Sequence, residues 1–100
     1  MVEKIAYLIR ILRTQRQALG LSQRALSHKV GLTQSHLSHL ERGEIDLKTS
    51  NLVELARVLD MEVMLVPRQL TGVVEGIIAG EDLEQTPAYS LARYLDEDEV

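Results

Sequence analysis

The chain contains no cysteine, no tryptophan and no phenylalanine, and its only aromatic residues are three tyrosines. Without cysteine it has neither disulfides nor thiolate-bound metals, which fits a reducing compartment. A core without large aromatic rings must be built from Leu, Ile, Val and Ala, which favours packed helices over a β-sandwich. No run of about 18 apolar residues is present, and the first residues lack a signal-peptide pattern. We therefore expect a cytoplasmic protein of one domain.

The chain has a net charge of -4, but its charges are segregated along the sequence. Residues 1–70 contain ten Lys and Arg against seven acids, a net charge of +3. Residues 71–100 contain one Arg against eight acids, a net charge of -7. Because local rather than total charge decides nucleic-acid binding, the acidic total does not exclude it.

Apolar residues recur at helical spacing in four segments that are separated by glycines or polar loops. Ser22 and Thr33 each precede a short segment and have the hydroxyl that caps a helix start, while Gly20, Gly31 and Gly43 follow helix ends. The predicted helices cover about 2–18, 22–30, 33–42 and 50–60, the last capped by Thr49 or Ser50. Two short capped helices around a glycine-containing turn are typical of a helix-turn-helix.

The segment 61–66 is short, rich in β-branched and apolar residues and followed by Pro67, which predicts a strand. A lone strand has two unpaired edges, so we expect it to pair with the same strand of a second copy. The predicted dimerisation residues are Glu62, Val63, Met64, Leu65 and Val66. Residues 1–67 would then form one helix-turn-helix domain that includes this strand, and 68–100 an extension.

That extension divides into two parts. Apolar residues at helical spacing predict a short helix at about 69–79, although Gly72 and Gly76 weaken it by about 1 kcal/mol each. Residues 81–100 end in four consecutive acids and one valine. Such a composition predicts a flexible tail, or one that becomes ordered on a partner.

The polar residues of the third helix carry the functional signal. Its outward positions are all able to form hydrogen bonds and none is acidic: Gln34, Ser35, His36, Ser38 and His39. Such side chains match the donors and acceptors of base edges, whereas an ordinary solvated face would be rich in Glu and Lys. A merely polar helix remains an alternative. The histidines do not indicate a metal site, because no cysteine or suitable carboxylate completes a ligand set. No cofactor and no enzyme motif is indicated.

The stretch from Leu21 to Gly43, with its SQ, TQ and ERG elements, resembles the XRE family, the phage Cro and repressor type of helix-turn-helix. The resemblance covers about residues 5–60 and implies a mainly α, lambda-repressor-like domain of four to five helices, here with one C-terminal strand that pairs across a dimer. It implies base contacts by Gln34, Ser35 and His39, and a phosphate contact by Gln23. Further candidates for phosphate contacts are Arg24, Thr33, Arg42, Lys48 and Thr49. An ion pair between Arg16 and Glu41 is implied to be structural.

The ending from Asp60 to Pro67 is similar to antitoxins of the HipB type, whose strands pair across a dimer. This similarity implies a homodimer at the bacterial nucleoid that binds a palindromic operator of double-stranded DNA, represses its own operon and holds a HipA-like toxin kinase. Two alternatives remain. One is a stand-alone repressor without a toxin, and the other is an interaction subunit whose C-terminal tail inhibits an enzyme.

Overall fold

A computed structural model describes residues 3–80 of the chain. Within them, the predicted mainly helical fold is confirmed. A 3-10 turn over Glu3–Ile5 leads into α1 (Ala6–Ala18), and a second over Arg68–Leu70 leads into α5. The α-helices are α1, α2 (Gln23–Val30), α3 (Gln34–Glu41), α4 (Thr49–Val58) and α5 (Thr71–Ile78). Backbone contacts divide the chain after Val63 into two compact units.

The core of the N-terminal unit is entirely aliphatic and draws on α1 to α4. Leu26, Leu37 and Leu59 are at most 2% exposed, and burying such a side chain contributes about 1.5–3 kcal/mol. The buried cluster is completed by Leu12, Val30, Leu55 and Ala56. One polar contact also ties α1 to the end of α4, because the Gln15 side-chain amide donates to the Leu59 carbonyl at 3.0 Å. The four helices therefore pack around one shared hydrophobic core.

Local capping explains why α2 and α3 begin where they do. The Ser22 hydroxyl accepts a hydrogen bond from the Ala25 backbone N–H, and the Thr33 hydroxyl accepts one from His36, each at 3.0 Å. Each bond satisfies a backbone donor that the helix itself leaves open. Between the two helices, Gly31 takes a left-handed conformation with φ of 70°, which a residue without Cβ adopts at little cost.

The boundaries of α1 and α4 differ from those predicted. The start of the predicted first helix is a 3-10 turn, and regular α-helix begins only at Ala6. Neither Thr49 nor Ser50 caps α4, because Thr49 is already its first helical residue and Lys48 is the cap, without a side-chain hydrogen bond. The helix ends at Val58, and Asp60 follows in the left-handed region with φ of 62°. A short polar side chain tolerates that conformation, so the helix can end without a glycine.

The predicted strand 61–66 has no regular secondary structure in the described chain. A strand is defined by hydrogen bonds to a neighbour, and the predicted neighbour belongs to a second chain. Its pairing across a dimer stays a prediction.

In the C-terminal unit, the helix expected at about 69–79 corresponds to the 3-10 turn and α5, with Leu70, Val73 and Gly76 buried. No helix between residues 3 and 80 is long and apolar enough to cross a membrane. The predicted tail at 81–100 lies outside the described residues.

Candidate nucleic-acid interface

Helix α3 has one buried side and one polar side. Leu37 and Leu40 are 2% and 1% exposed and anchor the helix in the protein. Gln34 and Ser35, at its N-terminal end, are exposed. The other three polar positions predicted to face outward are only half-exposed: His36, Ser38 and His39. The first turn of α3 is therefore the part most available to a partner.

The structure brings the predicted partners Arg16 and Glu41 together. Arg16 Nε lies 2.7 Å from Glu41 Oε2, and Arg16 Nη2 lies 2.9 Å from Oε1, which is a two-pronged ion pair. The third guanidinium nitrogen donates to the Leu21 carbonyl at 2.8 Å. Both side chains are nearly buried, at 11% and 7% exposure. These contacts fix the positions of α1, of the loop before α2 and of the end of α3 relative to one another.

Gln23 makes a contact inside the protein that the sequence analysis did not predict. It is the first residue of α2, as expected, but its side-chain amide donates to Glu41 Oε1 at 3.0 Å. The amide that was predicted to meet a phosphate is thus engaged inside the protein, where it adds a third donor to the Glu41 carboxylate. Two kinds of donor remain available for a phosphate at the start of α2. They are the backbone N–H groups of the first turn of α2 and the second amide hydrogen of Gln23.

A cluster at the end of α3 was missed by the sequence analysis. His39 Nδ1 lies 2.7 Å from Glu44 Oε2, and Arg42 Nε lies 3.0 Å from Glu44 Oε1. The His39 hydrogen bond lowers the pKa of the Glu44 carboxyl below its ordinary value, and the charge of Arg42 adds to this. Two predicted DNA-contacting residues therefore share one carboxylate. The only sequence feature that pointed to this cluster was Gly43, which marks the end of α3. In the structure its φ of 72° turns the chain back over α3.

The remaining predicted phosphate contacts lie at helix starts and are exposed. Arg24 is in the first turn of α2, Thr33 caps α3, and Lys48 with Thr49 opens α4. A helix start favours an anion because its backbone N–H groups point outward and the helix dipole is positive there. The Thr33 hydroxyl accepts the capping bond through its oxygen and keeps its own proton free to donate to a phosphate.

The histidines form no metal site in this part of the chain. Within residues 3–80, no group of three or more His, Asp or Glu side chains has the arrangement to hold a metal ion. His39 instead uses one ring nitrogen on Glu44.

A sequence profile for the helix-turn-helix matches residues 12–64, more than half of the chain. This chain belongs to the helix-turn-helix family. The matched range contains both capped helices and their turn, so the resemblance to the XRE type is confirmed. Family membership indicates a DNA-binding domain.

Comparison with known proteins adds one relative of this helix-turn-helix chain. An uncharacterised HTH-type transcriptional regulator of Sinorhizobium fredii is 41% identical over 78 residues, which cover 78% of this chain and 40% of the relative. The chain thus spans less than half the length of that relative. No solved structure matches the chain significantly.

Proposed function

We propose that the chain is a sequence-specific DNA-binding repressor in which α3 enters the major groove. One observation carries this proposal: Gln34 and Ser35 are exposed on the first turn of a helix that Leu37 and Leu40 anchor in the core. In helix-turn-helix complexes the N-terminal residues of the second helix contact base edges. A glutamine amide donates and accepts at once, which matches adenine N6 and N7.

The charged residues around α3 support the orientation of this proposed contact. Arg24, Lys48 and Arg42 are exposed, and they lie on the elements that precede and follow the base-reading turn. Cations there would fix the register of the protein on the phosphate backbone without reading sequence. Arg16 and Glu41 take no part in the contact, because they neutralise each other inside the protein.

Selection of bound sequences from a randomised library tests the base-reading role of Gln34. For Gln34→Ala we expect a loss of about 1–3 kcal/mol of discrimination at one base position. Lys48→Ala should instead weaken binding evenly across sequences. It should also reduce the slope of affinity against salt concentration by about the amount due to one phosphate contact. Gln17→Ala, at an exposed glutamine of α1, is the matched control and should change neither the base discrimination nor the salt dependence of binding. An even loss for Gln34→Ala would contradict base reading.

The proposal includes a homodimer on a palindromic operator. Val63, Met64 and Leu65 are 41%, 75% and 98% exposed, which is an unusual environment for three consecutive apolar residues. A second copy of the same segment, antiparallel to the first, would cover them and supply the missing strand partner. The two α3 helices would then meet half-sites about 34–36 Å apart, one turn of DNA.

A finer proposal is that this repressor, acting at the bacterial nucleoid, is the antitoxin of a HipA-type kinase. It rests on the similarity of Asp60–Pro67 to the HipB-type ending, together with the exposed segment described above. A kinase-like reading frame directly downstream, whose product co-purifies with this chain in equal amounts, is the expected finding. An operon without such a gene would favour a stand-alone repressor. A tail that binds an enzyme while operator binding survives its deletion would favour the interaction subunit.

A further inference from the structure

The loop that follows α3 carries an acid, Glu44, that none of the predicted contacts includes. Beyond Gly43, the Glu44 backbone N–H donates to the His39 carbonyl at 3.1 Å, which folds Glu44 back onto the helix. Its carboxylate then reaches His39 and Arg42, two residues of the proposed interface. All three side chains are 43–56% exposed, so the cluster at the C-terminal end of α3 is accessible to a partner.

The chemistry of these contacts defines the state of the His39 ring. An ionised carboxylate only accepts hydrogen bonds, so the 2.7 Å contact requires a proton on His39 Nδ1. Arg42 Nη2 lies 3.3 Å from the same nitrogen, but it is also a donor and cannot bond to a protonated Nδ1. The shorter contact is therefore the hydrogen bond, and Arg42 forms an ion pair with Glu44 instead. In the neutral ring, Nε2 is left without a proton and acts as an acceptor.

We propose that Glu44 is a specificity-determining positioning residue, which fixes the His39 tautomer so that Nε2 accepts a hydrogen bond from an exocyclic amino group in the major groove. The bases that present such a group there are cytosine, through N4, and adenine, through N6. The inference rests on the proposed function of α3 as the reading helix. It is the opposite of the simplest expectation for a histidine, which is that its ring donates a hydrogen bond to guanine.

The same carboxylate restrains non-specific binding. Glu44 sits between the His39 ring and the Arg42 guanidinium and offsets the attraction of this corner for phosphates. Each additional phosphate contact steepens the salt dependence of binding, because more counterions are released. Removing the carboxylate frees Arg42 for a phosphate, so a variant without it binds arbitrary DNA more tightly and loses affinity faster as salt is added.

The first test uses the free protein and does not depend on DNA. Long-range proton–nitrogen NMR spectra of the full chain distinguish a protonated from an unprotonated ring nitrogen. At a pH where the ring is neutral, we expect His39 of the wild type to show a protonated Nδ1 and an unprotonated Nε2. In Glu44→Ala the proton should be distributed over both nitrogens, because nothing holds it on Nδ1. Identical ring spectra in the two proteins would overturn the positioning role.

The second test is selection from a randomised DNA library with the wild type, Glu44→Ala and His39→Ala. The wild type should enrich adenine or cytosine at one position, and both variants should lose that preference by roughly tenfold. The preference that depends on Gln34 should persist in both. Enrichment of guanine at the His39 position, or an unchanged preference in Glu44→Ala, would overturn the inference. If no position is selected by any protein, including one that depends on Gln34, the proposed function itself fails.

A matched charge control separates local from overall electrostatics. Glu54 is an exposed acid of α4 that forms no ion pair among residues 3–80. Glu54→Ala removes the same charge as Glu44→Ala, yet it should leave the base preference unchanged. Its salt dependence on arbitrary DNA should be shallower than that of Glu44→Ala, because it frees no arginine. Equal effects of the two substitutions on both quantities would contradict the role of the cluster.

Discussion

Glu41 is the residue at which three helices of the N-terminal unit meet. It belongs to α3, and its two carboxylate oxygens accept from Arg16 of α1 and from Gln23 of α2. At 7% side-chain exposure it is almost removed from water. A buried charge of this kind is tolerable only while its partners satisfy it. The pair therefore contributes to the orientation of α2 and α3 and gives Glu41 no free oxygen to face DNA.

Glu41→Ala should destabilise the protein by about 3–5 kcal/mol, because it leaves the Arg16 charge buried without a counter-ion. Denaturant unfolding followed by circular dichroism measures this loss. Glu41→Gln should lose less, since its amide oxygen still accepts one bond. Glu54→Ala is the control and should stay within about 0.5 kcal/mol of the wild type. A loss for Glu41→Ala as small as that of the control would show that the pair is not structural.

Also at the residue scale, Gln34 and His39 differ in how free they are to read DNA. The structure gives no hydrogen-bond partner to the exposed Gln34 side chain among the described residues, so both ends of its amide are available. His39 has one ring nitrogen committed to Glu44 before DNA arrives. Pre-positioning lowers the entropic cost of a contact. In our proposal it also limits His39 to accepting a hydrogen bond from the base.

At the element scale, the start of α3 depends on a single hydroxyl. Thr33 accepts from the His36 backbone N–H, and the exposed Gln34 and Ser35 lie in the turn that this bond closes. Fraying of the turn would therefore disorder the proposed base contacts before it affected Leu37 or Leu40. The Thr33 cap therefore connects the local sequence to the geometry of the proposed base contacts.

Thr33→Ala should destabilise the protein by about 1 kcal/mol, because one backbone donor of α3 loses its acceptor. The measurement is the thermal unfolding midpoint. Thr33→Ser keeps the hydroxyl and should remain close to the wild type. If Thr33→Ser is as destabilised as Thr33→Ala, the methyl group rather than the cap is responsible.

At the scale of the whole molecule, charge and apolar exposure are both unevenly distributed. Basic residues concentrate in 1–70 and acids in 71–100. The exposed apolar segment Val63–Leu65 lies near the boundary between these regions. A repressor that places two copies on one operator needs a self-complementary contact, and this segment is our proposed contact.

Leu65→Glu should convert a dimer into a monomer and weaken operator binding, because it places like charges opposite each other near a two-fold axis. Light scattering should give twice the 11.3 kDa chain mass for the wild type and the single mass for the variant. Ile78→Glu, at an apolar residue of α5 that is 81% exposed, is the control and should remain dimeric. A wild type that is monomeric at micromolar concentration would contradict the proposed dimer.

Much of the helical part of the fold follows from local signals in the sequence. Ser22 and Thr33 cap helices because their hydroxyls bond three residues ahead, and Gly31 turns the chain because it lacks a Cβ. Helical spacing of apolar residues likewise predicted the buried sides of α2, α3 and α4, because an aliphatic stripe must pack inward. The start of α4 was predicted less well, since several polar residues there were equally suited to be its cap.

By itself, the sequence determined a helical domain with a helix-turn-helix and a third helix whose outward positions are polar and not acidic, because those features depend on near neighbours and on periodicity. Only the tertiary structure decided which polar groups are free. The Glu41 carboxylate takes up the Gln23 amide from 18 residues away, and Gly43 turns Glu44 onto His39. Such pairs depend on how helices and turns place distant side chains, and no local pattern encodes that placement.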